Sequence, residues 1–301
     1  MLNSLVSLPL LRLHFAFQAL DELRLEGFTG STWHGALGHA LARVSPEAFE
    51  LMYGLPGQDS GTPRPFVLLP DQPLATASLG LGFSVTLFGP AVELATVLVL
   101  AVENLAAAGL GNRQIPLRLL RVLQTHAVAG RPVSSEVLGL DGNWCGDALA
   151  PIRLADLAAC WQQAPAGSLL IRFDTRLRLK AGSSVMKQTP TLEILLQRLL
   201  ERISALALLY GTGALPSDGV RGMLAQARKV ALVETTMRWA EWSRASGRTG
   251  QVMPWGGLLG EVIYRGDLTE FLPWLGLGEW LHVGSKTSFG LGHYQLWTAP
   301  G

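Results

Sequence analysis

At 301 residues and 49% hydrophobic, the chain is long and apolar enough for two buried cores, and two domains are expected. Its two cysteines, Cys145 and Cys160, have no metal-ligand partners nearby in sequence, which favours a reduced, cytoplasmic chain over a disulfide scaffold. The net charge of +1 hides a partition: residues 1–160 hold nine Lys/Arg against thirteen Asp/Glu, residues 161–301 fifteen against ten, and 20 of the 24 basic residues are arginine, whose planar fork suits phosphate and base stacking.

The opening MLNSLVSLPLL has neither a basic leader nor a small-residue cleavage site, so no signal peptide is expected. Leu8–Leu20 reads as a strand, and Ser31–Val44 as a helix capped by Ser31. Arg64–Pro70 and Leu81–Gly89 read as strands, the second with Phe83, Val85 and Leu87 on one face. Pro90 opens a helix that runs to Gly109. Its apolar run Leu94–Val102 is roughly half a bilayer span and lies between Glu93 and Glu103, so no membrane partner is expected. Pro116–His126 closes the set as a strand. The order strand–helix–strand–strand–helix–strand is the split βαβ of a ferredoxin-like domain, assigned to residues 1–130.

Residues 131–165, rich in Gly, Pro and Ser, read as a linker with a short helix around Leu154–Gln162. The same order then repeats over 166–301. Ser168–Lys180 alternates: Ile171, Phe173, Leu177 and Leu179 point one way, Arg172, Asp174, Arg176, Arg178 and Lys180 the other. Helices follow at Thr191–Tyr210 and near Gly219–Lys229, then strands at Ala231–Ser243 and Gly257–Gly266. A short helix over Leu268–Leu275 leads to HVGSKTSFGLGHY (His282–Tyr294), and Phe289–Trp297 is the last strand. The expected fold is α+β, two tandem ferredoxin-like (βαββαβ) domains.

In that terminal stretch Gly284, Gly290 and Gly292 leave backbone N–H groups bare enough to meet phosphate oxygens. Lys286 adds a mobile charge, and Ser285, Thr287 and Ser288 add hydroxyl donors. The order is not Gly-x-x-x-x-Gly-Lys-Ser/Thr, and the stretch precedes a strand, which disfavours nucleotide hydrolysis. FDTRLRLK, LLQRLLERISALALLYG, MRWAEWSRASGRTGQVMPWGGLLGEVIYRGDL and LHVGSKTSFGLGHY together resemble the CRISPR repeat-RNA processing endoribonucleases of the repeat-associated mysterious protein (RAMP) superfamily. STWHGALGHAL and TPRPFVLLP resemble the first domain of that family.

The resemblance implies cleavage of precursor CRISPR RNA within its repeats, without metal or other cofactor, by attack of the RNA's own 2′-hydroxyl. The products carry a 2′,3′-cyclic phosphate and a 5′-hydroxyl, and the family commonly retains the processed RNA. Partners are then the precursor and mature CRISPR RNA and other subunits of a CRISPR complex. The reaction needs in-line alignment, two proton transfers and stabilisation of a phosphorane. His34 and His39 are both candidates for proton transfer. Five residues apart on a helix, they project about 140° from each other at ~100° per residue, so one substrate cannot face both equally. Lys286 is the candidate for phosphate charge.

Arg176 and Arg178 on the basic strand face, and Arg238, Arg244 and Arg248 interleaved with Trp239 and Trp242, offer forks and rings suited to RNA. His282 and His293 flank the glycine-rich loop, with His282 placed to cap the preceding helix, while His14 and His126 read as structural. No cluster of His, Asp or Glu has metal-ligand spacing. A rival keeps the fold and the grip without the chemistry: a non-catalytic subunit that binds an RNA hairpin within an interference complex.

Overall fold

The computed structural model describes residues 8–25, 27–54, 62–71, 81–128, 131–140, 149–164, 166–182, 184–211, 213, 215–245 and 252–300. The chain divides into two compact units, Leu8–Arg153 and Leu154–Gly301. The first contains β1 (Pro9–Ala19), α1 (Gly30–Val44), α2 (Pro46–Tyr53), β2 (Phe66–Pro70), β3 (Leu81–Phe88), α3 (Ala95–Ala108), β4 (Leu117–Val128), β5 (Arg131–Leu138) and β6 (Ile152–Arg153). Its antiparallel sheet runs β2-β3-β1-β4-β5, with β6 pairing the start of β1. The first four strands of that order, with α1 and α3, form the ferredoxin-like pattern.

The odd-numbered side chains of β1 (Leu11, Leu13, Phe15, Phe17) are buried and point at the helices. Phe17 and Phe83 stack around Trp33 of α1, with ring centroids 5.3 and 4.7 Å from the indole, which ties helix to sheet. The helical stretch Gly89–Ala108 is apolar and long enough to cross a membrane. It begins as a tight 3-10 turn at Gly89–Leu94, and its Leu98, Val99, Val102 and Leu105 lie in the core of this unit. Two expectations are corrected. Helix α1 starts at Gly30 with Thr29 as N-cap and no side-chain cap bond, so Ser31 caps nothing. Within the expected linker 131–165, Arg131–Leu138 form β5, which extends the first sheet beside β4, and the unit division falls at Arg153/Leu154.

The second unit contains α4 (Leu154–Ala159), β7 (Ser168–Leu177), β8 (Lys180–Ala181), β9 (Ser184–Val185), α5 (Leu192–Tyr210), α6 (Ser217–Ala227), β10 (Ala231–Thr235), β11 (Arg238–Ala240), β12 (Ser243–Ala245), β13 (Val252–Pro254), β14 (Gly257–Arg265), α7 (Leu272–Leu281) and β15 (Tyr294–Ala299). Its main sheet runs β10-β14-β7-β15, again the ferredoxin-like order. Thr191 caps α5, its hydroxyl accepting from the Ile194 N–H at 3.4 Å. Leu195, Leu196, Leu199, Ile203 and Leu206 of α5, with Ile171 and Phe173 of β7, are buried. Gly278 of α7 leaves room for the Tyr294 hydroxyl, which donates to the Leu275 carbonyl at 2.6 Å.

The strand expected over Ala231–Ser243 is interrupted. The edge breaks into β10 and β11 at Thr236–Met237, opposite Gly260, which sits at φ +128° where β14 shifts register against β7; a Cβ there would lie 2.7 Å from the Thr236 carbonyl. The last helix runs Leu272–Leu281 rather than Leu268–Leu275, and residues 289–293 precede the last strand instead of opening it.

Candidate functional site

The glycine-rich loop hangs between α7 and β15. His282 closes α7 at φ +57°, its N–H donating to the Gly278 carbonyl at 2.8 Å. Buried Arg202 of α5 reaches the same helix end, Nε donating to the Leu281 carbonyl at 2.8 Å. Burial lowers its pKa to about 10, which leaves it cationic at neutral pH. The Val283 N–H donates to the Gly292 carbonyl at 3.0 Å and pinches the loop shut. The loop is then laid along the end of β7: the Gly292 N–H donates to the Arg176 carbonyl at 3.1 Å, and the Ser285 N–H to the Arg178 carbonyl at 3.0 Å.

These contacts explain two of the glycines. Gly284 sits at φ +89° and Gly292 at φ +76°; a Cβ on Gly284 would lie 2.5 Å from the Arg178 carbonyl, and one on Gly292 would overlap the Val283 carbonyl. The bare backbone approaches the protein's own β7, not an open anion site. The Gly290 N–H donates to the Thr287 carbonyl at 2.9 Å, and the Ser285 hydroxyl to the Arg178 carbonyl at 3.3 Å. Thr287 and Ser288 are buried. Of the donors expected here, the N–H groups of Ser285, Gly290 and Gly292 and the Ser285 hydroxyl are taken by the protein's own carbonyls, which pins the loop and holds Lys286 in place.

Lys286 is the exposed residue of this loop, held at φ +65°, with Nζ 5.2 Å from the Trp255 ring centroid. Trp255 is buried and stands edge-on to Phe289 at 4.8 Å and Trp242 at 5.5 Å. The Arg176 guanidinium lies 5.7 Å from the Trp242 centroid; its Nε donates to the Ala240 carbonyl at 3.3 Å and its Nη2 to the Glu241 carbonyl at 3.4 Å. Arg178 donates from Nη1 to the Gly256 carbonyl. Burial lowers the pKa of both arginines, and both remain cations at neutral pH. Three cations and three aromatic rings thus gather beside one turn.

Arg238 is exposed on β11, opposite Leu259. Arg244 belongs to β12, but its side chain and the whole of Arg248 lie outside the described residues.

On α1 the two histidines part as the helical angle requires. His34 is buried, its ring 4.8 Å from Tyr53 and 6.1 Å from Phe66. Arg64 Nη1 donates to its Nε2 at 2.6 Å, and the Tyr53 hydroxyl donates to its carbonyl at 2.8 Å. A guanidinium can only donate, so Nε2 accepts and the imidazole proton sits on Nδ1. His39 is exposed, with no hydrogen bond or ion pair among the described residues. Neighbouring Gly38 faces inward, where a Cβ would lie 2.8 Å from Tyr53 Cε1.

Of the other histidines, His293 Nδ1 lies 3.2 Å from Asp174 Oδ2 and His14 Nε2 lies 3.1 Å from both Asp71 oxygens. His126 Nε2 lies 2.7 Å from Ser135 Oγ. Among the described residues, no group of three or more His, Cys, Asp or Glu gathers to hold a metal ion. Sequence reasoning passed over Trp255, Arg64 and Lys187, whose Nζ lies 5.0 Å from the Trp239 ring. The Pro-Trp-Gly-Gly run at 254–257 was the available signal for Trp255, an aromatic isolated among turn residues.

Residues 171–294 match the sequence model described as CRISPR-associated endoribonuclease Cas6, and residues 8–48 and 53–140 match one described as an N-terminal domain. No curated protein sequence matches the chain. Three solved structures show the same fold at low identity. A product complex of Cas6 (TTHB231), from Thermus thermophilus, is 19% identical with a TM-score of 0.60, covering 96% of this chain and 100% of that one. A product complex of Cas6 (TTHA0078) is 20% identical with a TM-score of 0.58, covering 96% and 100%. A partial Cas6-RT-Cas1–Cas2 complex is 14% identical with a TM-score of 0.60, covering 97% of this chain and 46% of that one. The matched segment 171–294 runs from β7 to the first residue of β15 and so contains the whole lysine-bearing loop with its aromatic bed: over this segment the chain is similar to the CRISPR-associated endoribonuclease Cas6 family.

Proposed function

We propose that the protein cleaves precursor CRISPR RNA within its repeats by a metal-independent transesterification. The RNA's 2′-oxygen attacks the adjacent phosphorus, the P–O5′ bond breaks, and the products end in a 2′,3′-cyclic phosphate and a 5′-hydroxyl. The 2′-hydroxyl proton passes to a base, and the departing 5′-oxygen takes up a proton. His39 is the residue for proton transfer, because it is an exposed imidazole on a rigid helix; His34 is engaged by Arg64. Lys286 stabilises the charge gathering on the phosphorane, as a pre-positioned cation does without reorganisation. Arg176, Arg178 and Arg238, with Trp242, take the RNA backbone and unpaired bases.

The observation that carries this reading is the Lys286 loop: it lies inside the family-matched segment and beside a bed of arginines and tryptophans. The product-complex relatives support retention of the processed RNA, and the Cas6-RT-Cas1–Cas2 relative supports association with further CRISPR subunits. The test is incubation of the purified protein with its cognate repeat RNA in excess chelator, with analysis of both new ends. One cut per repeat, with cyclic-phosphate and 5′-hydroxyl ends, is expected. Tight binding without cleavage favours the non-catalytic hairpin-binding subunit, and cleavage only after metal is added contradicts metal independence.

A further inference from the structure

A recess lies wholly within the first unit, and none of its lining residues has been given a role so far. It is a cavity of about 530 Å³ between the segment after β1 and the turn joining α3 to β4, within the ~300–1,000 Å³ range of small-ligand sites. Leu110 and Ile115 are buried and make its floor; they pair across a tight turn, each N–H donating to the other's carbonyl, at 2.9 and 3.0 Å. Leu23 and Leu25 add apolar wall. Polar groups stand at the rim: Thr32 from the first turn of α1, Asn112 and Arg113 from the turn, and Glu22 and Arg24 from the opposite lip.

Arg24 and Arg113 are exposed guanidiniums, and the rim nets one positive charge over Glu22. Glu22 Oε1 accepts from Arg24 Nε at 2.9 Å and Nη2 at 2.6 Å. At 65–82% side-chain exposure this pair contributes little stability and is easily opened by a competing anion. The turn is held in one shape: Gly111 takes φ +77°, and the Gln114 N–H donates to the Gly111 carbonyl at 3.1 Å.

We infer that this cleft holds one unpaired nucleotide of the bound RNA. The base lies on Leu110, Ile115, Leu23 and Leu25, Asn112 and Thr32 meet its polar edge, and Arg24 and Arg113 clasp the adjoining phosphate. The chemistry selects an unpaired nucleotide because a base stacked inside a helix cannot enter an apolar recess, whereas a splayed one can. The inference rests on the RNA reading above and adds a contact outside the cleaved linkage.

The test uses the full chain and two RNAs that share one repeat hairpin, one bare and one with unpaired flanks, both with a 2′-deoxy block at the cleavage position. Arg24→Ala/Arg113→Ala should weaken the flanked RNA roughly tenfold and lower its log–log salt slope by about one, for the one phosphate that both clasp. Binding of the bare hairpin should be unchanged. Both side chains are exposed, so the fold should be kept, which a thermal melt verifies. Equal losses on both RNAs, or none on either while the wild type binds, overturn the cleft assignment and leave the proposed function standing. A wild-type protein that binds neither RNA overturns both.

Discussion

His39→Ala is expected to slow cleavage of the repeat RNA by about 10²–10⁴-fold while RNA affinity stays within about twofold. The size is that of a lost general acid or base. The selectivity follows from exposure: His39 is exposed and has no hydrogen bond or ion pair among the described residues, so its removal leaves helix α1 intact. His34→Ala should behave in the opposite way. It empties a buried position between Tyr53 and Phe66 and strips Arg64 of an acceptor. A cost of about 2–4 kcal/mol follows from a cavity plus a lost hydrogen bond to a charged group. The folded fraction of that variant should cleave at near wild-type rate. Single-turnover kinetics beside thermal melts separate the two. Wild-type cleavage by His39→Ala, with a folded but inactive His34→Ala, would reverse the assignment.

Gly292→Ala is expected to destabilise the second unit by about 3 kcal/mol or more, a fall in Tm of roughly 6–12 °C. At φ +76° a Cβ is already strained, and here it would overlap the Val283 carbonyl, whose partner N–H donates to Gly292 itself. The pinch at the base of the loop must open, the Gly292 bond to the Arg176 carbonyl loosens with it, and Lys286 loses its fixed place. RNA affinity should therefore fall together with stability. Gly222→Ala is the control: nothing lies within 4 Å of a Cβ there, inside α6, so a gain of about 0.5–1 kcal/mol is expected from helix propensity. An unchanged melt for Gly292→Ala would show that the loop is looser than its hydrogen bonds imply.

The parts legible in the sequence are those whose signals are local. The alternation from Ile171 to Arg178 marks β7 and its charged face, and Thr191 marks the start of α5. Helix α2 carried a local signal that was passed over: Ser45 accepts from the Ala48 N–H at 3.2 Å, Pro46 takes the first turn, and Gly54 ends it. Strand β5 carried none, since RPVSSEVL becomes a strand only through its pairing with β4. The candidate site divides along the same line. Spacing shows that His34 and His39 cannot share a face, but which one is buried depends on Tyr53 at the end of α2 and on Arg64 and Phe66 around the start of β2. The glycines announce a close backbone approach without saying to what; the partner proved to be the carbonyls of Arg176, Arg178 and Val283. The bed under Lys286 needed Trp255 and Phe289 to meet across β14 and α7, which no local pattern foretells.

The most direct measurement is cleavage of a repeat RNA carrying a single 2′-deoxy substitution at the nucleotide 5′ to the scissile phosphate, beside the unsubstituted RNA. A nucleophile supplied by the substrate predicts normal binding and no cut at that position, with the unmodified RNA cut in full. Cutting of the deoxy RNA at the normal rate would mean that water or a protein group attacks phosphorus, and the transesterification account would not survive it.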